Sequence, residues 1–176
     1  MIKRVSLVIF MMLLSQTAMA FSYTLEISEK ELQEKVSKMM PLEKKKYFVT
    51  VILSEPVIDL TGGNNEIGIF SHVKIIAPGS IEGAGKVKIT GSLRYDSKTG
   101  SFFFKHPEIV SLEVNDVPEK YMPNIKKIAQ SAVSKILATR PVYKLKDDNL
   151  KQKLAKSVLK SIKVENKKLL VELAAF

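Results

Sequence analysis

Between Glu119 and Thr139 the chain carries an apolar stripe too wide for a flat partner. Tyr121, Ile125, Ile128, Ala132 and Ile136 recur at helical spacing, and Ala129, Val133 and Leu137 widen the stripe. A helix of this kind has to be buried by a concave surface. Pro118 and Pro123 mark its start.

The preceding stretch supplies a candidate for that surface. Tyr47 to Leu53 is rich in β-branched and aromatic residues and reads as strand. Pro56 marks a bulge or an edge, and Val57 to Leu60 continue the strand. Gly62 to Asn65 is a turn, Glu66 to Ile76 a second strand, and Pro78-Gly79 its turn. Ile81 to Tyr95 is a third strand, with Val87, Ile89, Gly91 and Leu93 on one face and Lys86, Lys88 and Thr90 on the other. Asp96 to Gly100 is a hairpin loop, and Ser101 to Val117 is a fourth strand interrupted near Pro107. Four long antiparallel strands on short turns make a meander, and strands this long coil strongly or wrap something.

Tyr23 to Ile27 alternates as a short strand. Ser28 with Glu31 forms a capping box for a helix carrying Leu32, Val36, Met39 and Met40, which Pro41 ends. After the long helix, Arg140 to Leu145 is a short extended segment. Asp147-Asp148 opens a further helix with Leu150, Leu154 and Val158 on its apolar face. Ser161 to Val164 and Leu169 to Leu173 close the chain as a hairpin around Glu165, Asn166 and Lys167. The expectation is a single α+β domain over 21–176. Its strongly curved antiparallel meander wraps one long amphipathic helix, flanked by shorter N- and C-terminal helices and a closing hairpin.

The first twenty residues read as a cleaved leader. Lys3 and Arg4 form a basic n-region, Val5 to Leu14 an apolar core, and Ala18-Met19-Ala20 the small-x-small pattern before a cut at Phe21. That core is too short for a span, which needs roughly 20 apolar residues. A secreted chain without cysteine suits a bacterial periplasm. No cysteine follows the cleavage site, so the expected form is periplasmic and not lipid-anchored.

Composition thins the chemistry. Without cysteine there is no thiolate nucleophile, thiolate zinc site or iron–sulfur cluster. His72 and His106 are the two histidines, and neither lies in a nucleophile context. Gly79 to Lys86 resembles a phosphate loop only in its glycines. Ser80 and Val87 stand where that loop needs Gly and Ser or Thr, and the stretch leads into a strand. No catalytic set, metal site or cofactor is expected, and an enzyme is disfavoured.

The chain holds 28 Lys and Arg against 18 Asp and Glu, a net charge of +10. Past the leader the only arginines are Arg94 and Arg140, and lysine does not supply the bidentate recognition that nucleic-acid readers use. Nucleic acid is therefore not an expected partner. Lys44 to Lys46, Lys126-Lys127 and Lys167-Lys168 are solvated faces or attractors of an anionic membrane surface. An outer-membrane barrel is disfavoured, because Glu172 would stand on the lipid face of a final strand ending at Phe176.

This layout resembles the YceB-like lipoprotein family of proteobacteria, whose function is uncharacterised. The resemblance rests on Tyr23-Thr24 leading to Ser28-Glu29-x-Glu31-Leu32, on the meander, and on Arg140 to Asp147. Lys153 to Lys156 running into Ile162 to Val164 and the last strand completes it. It spans Tyr23 to about Leu173. The family is similar in fold to the tubular lipid-binding superfamily, which includes the bactericidal/permeability-increasing and synaptotagmin-like lipid-transfer modules. The resemblance implies a curved sheet around a long helix with space for an acyl chain between them. Relatives carry a lipobox cysteine, where this chain has Ala20 and Phe21.

Two functions follow as expectations. The first is a carrier or sensor of a lipid, fatty acid or other hydrophobic small molecule. Its lining would come from Ile125, Ile128, Ala129, Ala132, Val133 and Ile136 on the helix, and from Val49, Val51, Leu53, Val87, Ile89 and Leu93 on the sheet. The second is an envelope interaction or structural module whose core is filled by its own side chains. Oligomeric state and ligand identity are not legible.

Overall fold

In the computed structural model the described residues are 21–62, 65–145 and 159–175. They form nine strands and two α-helices: β1 (Phe21–Ser28), α1 (Glu29–Ser37), β2 (Leu42–Lys46), β3 (Val49–Asp59), β4 (Ile67–Ala77), β5 (Ile81–Asp96), β6 (Ser101–Val114), α2 (Met122–Leu137), β7 (Tyr143–Lys144), β8 (Leu159–Glu165) and β9 (Lys168–Ala175). A 3-10 turn, Glu119–Tyr121, leads into α2.

The larger sheet is antiparallel in the order β2-β3-β4-β5-β6-β7. It curls into a half-barrel, and α2 lies in the trough against β6, β2 and β3. The fold is α+β, with the concave partner that the wide helix stripe demands. β1 does not join this meander. It pairs with β9, and β9 with β8, in a separate three-stranded antiparallel sheet. Leu25 faces Val171 and Ile27 faces Leu169 across that pairing, and all four are buried. The Val164 N–H donates to Asn65 Oδ1 at 3.0 Å, which links the smaller sheet to the β3–β4 loop.

The larger sheet has three register shifts, one on the β3–β4 pairing and two on β5–β6, and prolines stand at two of them. On β3 the buried residues are Val49, Val51 and Leu53, then Pro56 and Ile58, so the buried parity switches. The register breaks between Ser54 and Val57, with Glu55 at φ 50°. On β6 Phe102 and Phe104 are buried, then Pro107 and Ile109, with His106 at φ 49°. A bulge inserts one residue, bends the strand and increases its twist.

Each of the two proline bulges is held by a glutamine from a helix. Gln130 Oε1 accepts from Ile109 N–H and Gln130 Nε2 donates to the Pro107 carbonyl, both at 2.8 Å. The same amide donates to Ser134 Oγ at 2.8 Å. On the other helix Gln33 Oε1 accepts from Ile58 N–H at 2.8 Å, and Gln33 Nε2 donates to the Pro56 carbonyl and to Ser37 Oγ. The two helices carry the same local pattern, Gln33-x-x-Val36-Ser37 and Gln130-x-x-Val133-Ser134. In both, the valine is buried beside the glutamine.

Glycines let β6 close over β5. A Cβ on Gly85 would stand 1.8 Å from the Glu113 carbonyl oxygen, and one on Gly83 would stand 2.3 Å from Val117. Side chains at these positions would push the strands apart.

Three expectations need correction or completion. The meander has one more strand than expected, because Leu42–Lys46 pairs antiparallel with β3. Tyr47 and Phe48 are the two-residue turn between these strands rather than the start of a strand, and both have positive φ, 50° and 68°. That conformation favours Asn or Gly, and residues with a Cβ hold it at a cost of order 1–3 kcal/mol each. The first helix ends at Ser37, before Met39 and Met40. The helix expected after Asp147 and the leader at 1–20 lie outside the described residues. The capping box is present as expected: Ser28 N–H donates to Glu31 Oε2 at 2.9 Å, and Glu31 N–H donates to Ser28 Oγ at 3.2 Å.

Gly85→Ala should lower the free energy of unfolding by about 1–3 kcal/mol, the scale of overpacking. Gly62→Ala, where a Cβ meets nothing within 4 Å, should stay within about 0.5 kcal/mol; urea melts of both variants check the pair. Gln130→Glu keeps an acceptor for Ile109 but sets a carboxylate against the Pro107 carbonyl. At neutral pH it should cost about 1–3 kcal/mol. The folded state favours the protonated acid, which can donate, so the folded pKa lies above the unfolded one. The deficit relative to wild type should therefore shrink as pH falls into the carboxylate range, about pH 4. A deficit independent of pH would contradict the clamp.

Candidate functional site

Antiparallel alternation places the β2–β3 turn, the β4–β5 turn and the start of α2 at one end of the trough. There the meander and the helix leave a recess of about 360 Å³. Lys46, Tyr47 and Val49 border it from the β2–β3 hairpin, Pro78 from the next turn, and Tyr121, Asn124, Lys127, Ile128 and Ser131 from the helical segment. The helical positions fall three to four apart and flank the buried stripe. The volume is at the low end of the range for small-molecule pockets.

The recess is amphipathic. Val49 and Ile128 form its apolar depth and belong to the continuous hydrophobic core. Lys46 and Lys127 stand exposed at the rim. The Lys46 ammonium lies 5.0 Å from the Tyr47 ring centroid, and Lys120 lies 5.1 Å from that of Tyr121. Among the described residues no acidic one borders the recess. The surface can therefore offer two cations, phenol, amide and hydroxyl groups above an apolar floor.

Of the twelve residues expected to line a ligand site, Val49 and Ile128 border this recess. Ile125, Ala129, Ala132, Val133, Val51, Leu53, Val87 and Ile89 are each at most 1 % exposed and lie in the interior between helix and sheet. Ile136 and Leu93 are partly buried against the same core. Sequence reasoning missed Lys46, Tyr47, Pro78, Tyr121, Asn124, Lys127 and Ser131 as a group. The helical ones could have been found as the polar shoulder of the stripe. Tyr47 could not, because it reads as strand.

The titratable groups with displaced pKa lie away from the recess. The Thr61 hydroxyl and N–H hold the Asp59 carboxyl below the usual range, and Thr99 with the Lys98 N–H does the same for Asp96. Lys160 and Ser161 lower Glu172, and burial raises Tyr95. His72 pairs with Glu55 at 2.9 Å on the outer face of the sheet, both well exposed. Among the described residues no group of three or more His, Cys, Asp or Glu is arranged to hold a metal ion. Among them, too, no helix is long and apolar enough to cross a membrane.

No curated protein matches the chain. A family model described as a protein of unknown function (DUF1439) matches residues 27–168, which runs from the end of β1 to the start of β9 and takes in the curled sheet, both helices and the recess. The chain belongs to the DUF1439 family of uncharacterised proteins.

Proposed function

We propose that this protein binds a lipid, a fatty acid or a similar hydrophobic small molecule between α2 and the curled sheet, and acts in the periplasm as a soluble carrier or sensor. The observation that carries this reading is the recess, whose cationic rim stands over an apolar floor continuous with the core. An anionic headgroup would sit at Lys46 and Lys127. Its apolar chain would lie against Val49 and Ile128 at the floor of the recess. Each methylene removed from water contributes about 0.8 kcal/mol, so a long chain needs few polar contacts. The resemblance to the YceB-like and tubular lipid-binding families supports the same reading.

A second reading is an envelope interaction module with a self-filled core. It is favoured by the near-complete burial of eight of the expected lining residues. It is also favoured by Val57 and Phe70, neighbours across β3 and β4 that are 57 % and 41 % exposed on the convex face.

The two readings separate in a titration with a fluorescent fatty acid. Ser131→Trp introduces bulk at an exposed rim position and should weaken uptake by about tenfold or more while leaving the melting temperature near wild type, since surface substitutions move stability by about 0.5 kcal/mol. Lys46→Gln/Lys127→Gln should weaken the acid more than the matching fatty alcohol. A wild-type protein that takes up neither probe would favour the self-filled module.

A further inference from the structure

The turn at the rim of the recess departs from the rules that govern hairpins. Tyr47 and Phe48 both take positive φ, a place for Asn-Gly rather than for two aromatic rings. Their side chains do not repay the strain by packing, since they are 80 % and 79 % exposed. Ile76, which pairs with Thr50 just beyond the turn, is 37 % exposed. Local rules broken without a gain in folding stability point to selection for something outside the fold.

Lysines predominate among the charged residues around this tip. Lys45 and Lys46 precede the turn, Lys127 borders the recess from the helix, and Lys120 lies against the ring of Tyr121, which borders it too. Of the nearby carboxylates, Glu82 is paired with Lys74 at 3.1 Å. Glu43 stands opposite Ile52, three pairs back from the turn, and Glu119 borders a separate hollow with Lys126. Aromatic rings at a tip, ringed by lysine, match the boundary of an anionic bilayer. There amphipathic rings settle among headgroups and cations meet lipid phosphate.

We propose that the β2–β3 turn is a membrane-docking element: Tyr47 and Phe48 insert into the headgroup layer of an anionic phospholipid surface, Lys45, Lys46, Lys120 and Lys127 hold the phosphates, and the recess is set down with its mouth on the bilayer. This goes beyond ligand carriage and does not depend on it. Surface docking and uptake of a single molecule are separate measurements, and failure of either leaves the other standing.

The test is co-sedimentation of the leader-free protein with phosphatidylethanolamine–phosphatidylglycerol vesicles and with phosphatidylcholine vesicles. Wild type should partition to the anionic vesicles and lose that partition as salt is raised. Tyr47→Asn/Phe48→Gly installs the favoured turn pair, so its hairpin should be at least as stable as wild type. Its partition should nevertheless fall by about tenfold or more. Lys45→Gln/Lys46→Gln should weaken partition and flatten its salt dependence. Wild type that stays in the supernatant with both vesicles overturns the proposal. So does a Tyr47→Asn/Phe48→Gly variant that sediments as wild type does, or equal binding to neutral vesicles.

Discussion

A sheet can wrap a helix only if its strands bend, and a bent strand leaves backbone groups without ladder partners. In this protein two strands of the meander solve that problem in the same way. Pro56 and Pro107 interrupt β3 and β6 after a residue of positive φ, and each bulge presents one free carbonyl and one free N–H. A glutamine amide has a donating nitrogen and an accepting oxygen at the spacing to satisfy both, and Gln33 and Gln130 do so from the two helices. The bend, the helix position and the rotation of each helix are thereby fixed together. An unpaired buried polar group costs about 1–3 kcal/mol, so a helix that rolled or slid would expose the bulge it holds to that penalty.

From this constraint the rest follows. Once β3 and β6 are bent, the edge strand β2 and the far strand β6 approach the same helix, and α2 is held between them. Burial is then completed by side chains that alternate inward along β4 and β5, while Gly83 and Gly85 let β6 close over β5. The trough is tightly packed at its centre, where Val51, Ile69, Ile89 and Ala129 are fully buried. It loosens at the end where the chain reverses at Tyr47 and Pro78. The recess lies there because hairpin turns and the first turn of a helix cannot interdigitate as closely as strand side chains do.

The sheet, the capping box and the long helix were readable from local pattern. Alternation over β4 and β5 and the width of the helix stripe are strong periodic signals, and Pro56 and Pro107 correctly marked bulges. The edge strand β2 was not readable, because Glu43, Lys44, Lys45 and Lys46 give it no apolar alternation; charged side chains blunt an exposed edge. Tyr47 and Phe48 misled for the opposite reason, since aromatic residues favour strands while their observed φ values belong to a turn. The pairing of β1 with the C-terminal hairpin is a long-range choice that no short pattern encodes. Little of the candidate site was legible. Val49 and Ile128 are the two expected residues that border the recess, and the polar rim comes from elements brought together only by the curl.

The central claim is that the protein carries a hydrophobic molecule. The most direct measurement is native mass spectrometry of the protein purified from its own host, followed by organic extraction of the bound fraction. The account predicts a co-purifying lipid or fatty acid in near-stoichiometric amount. A clean unliganded mass, unchanged when phospholipid and fatty acid are offered, would contradict it.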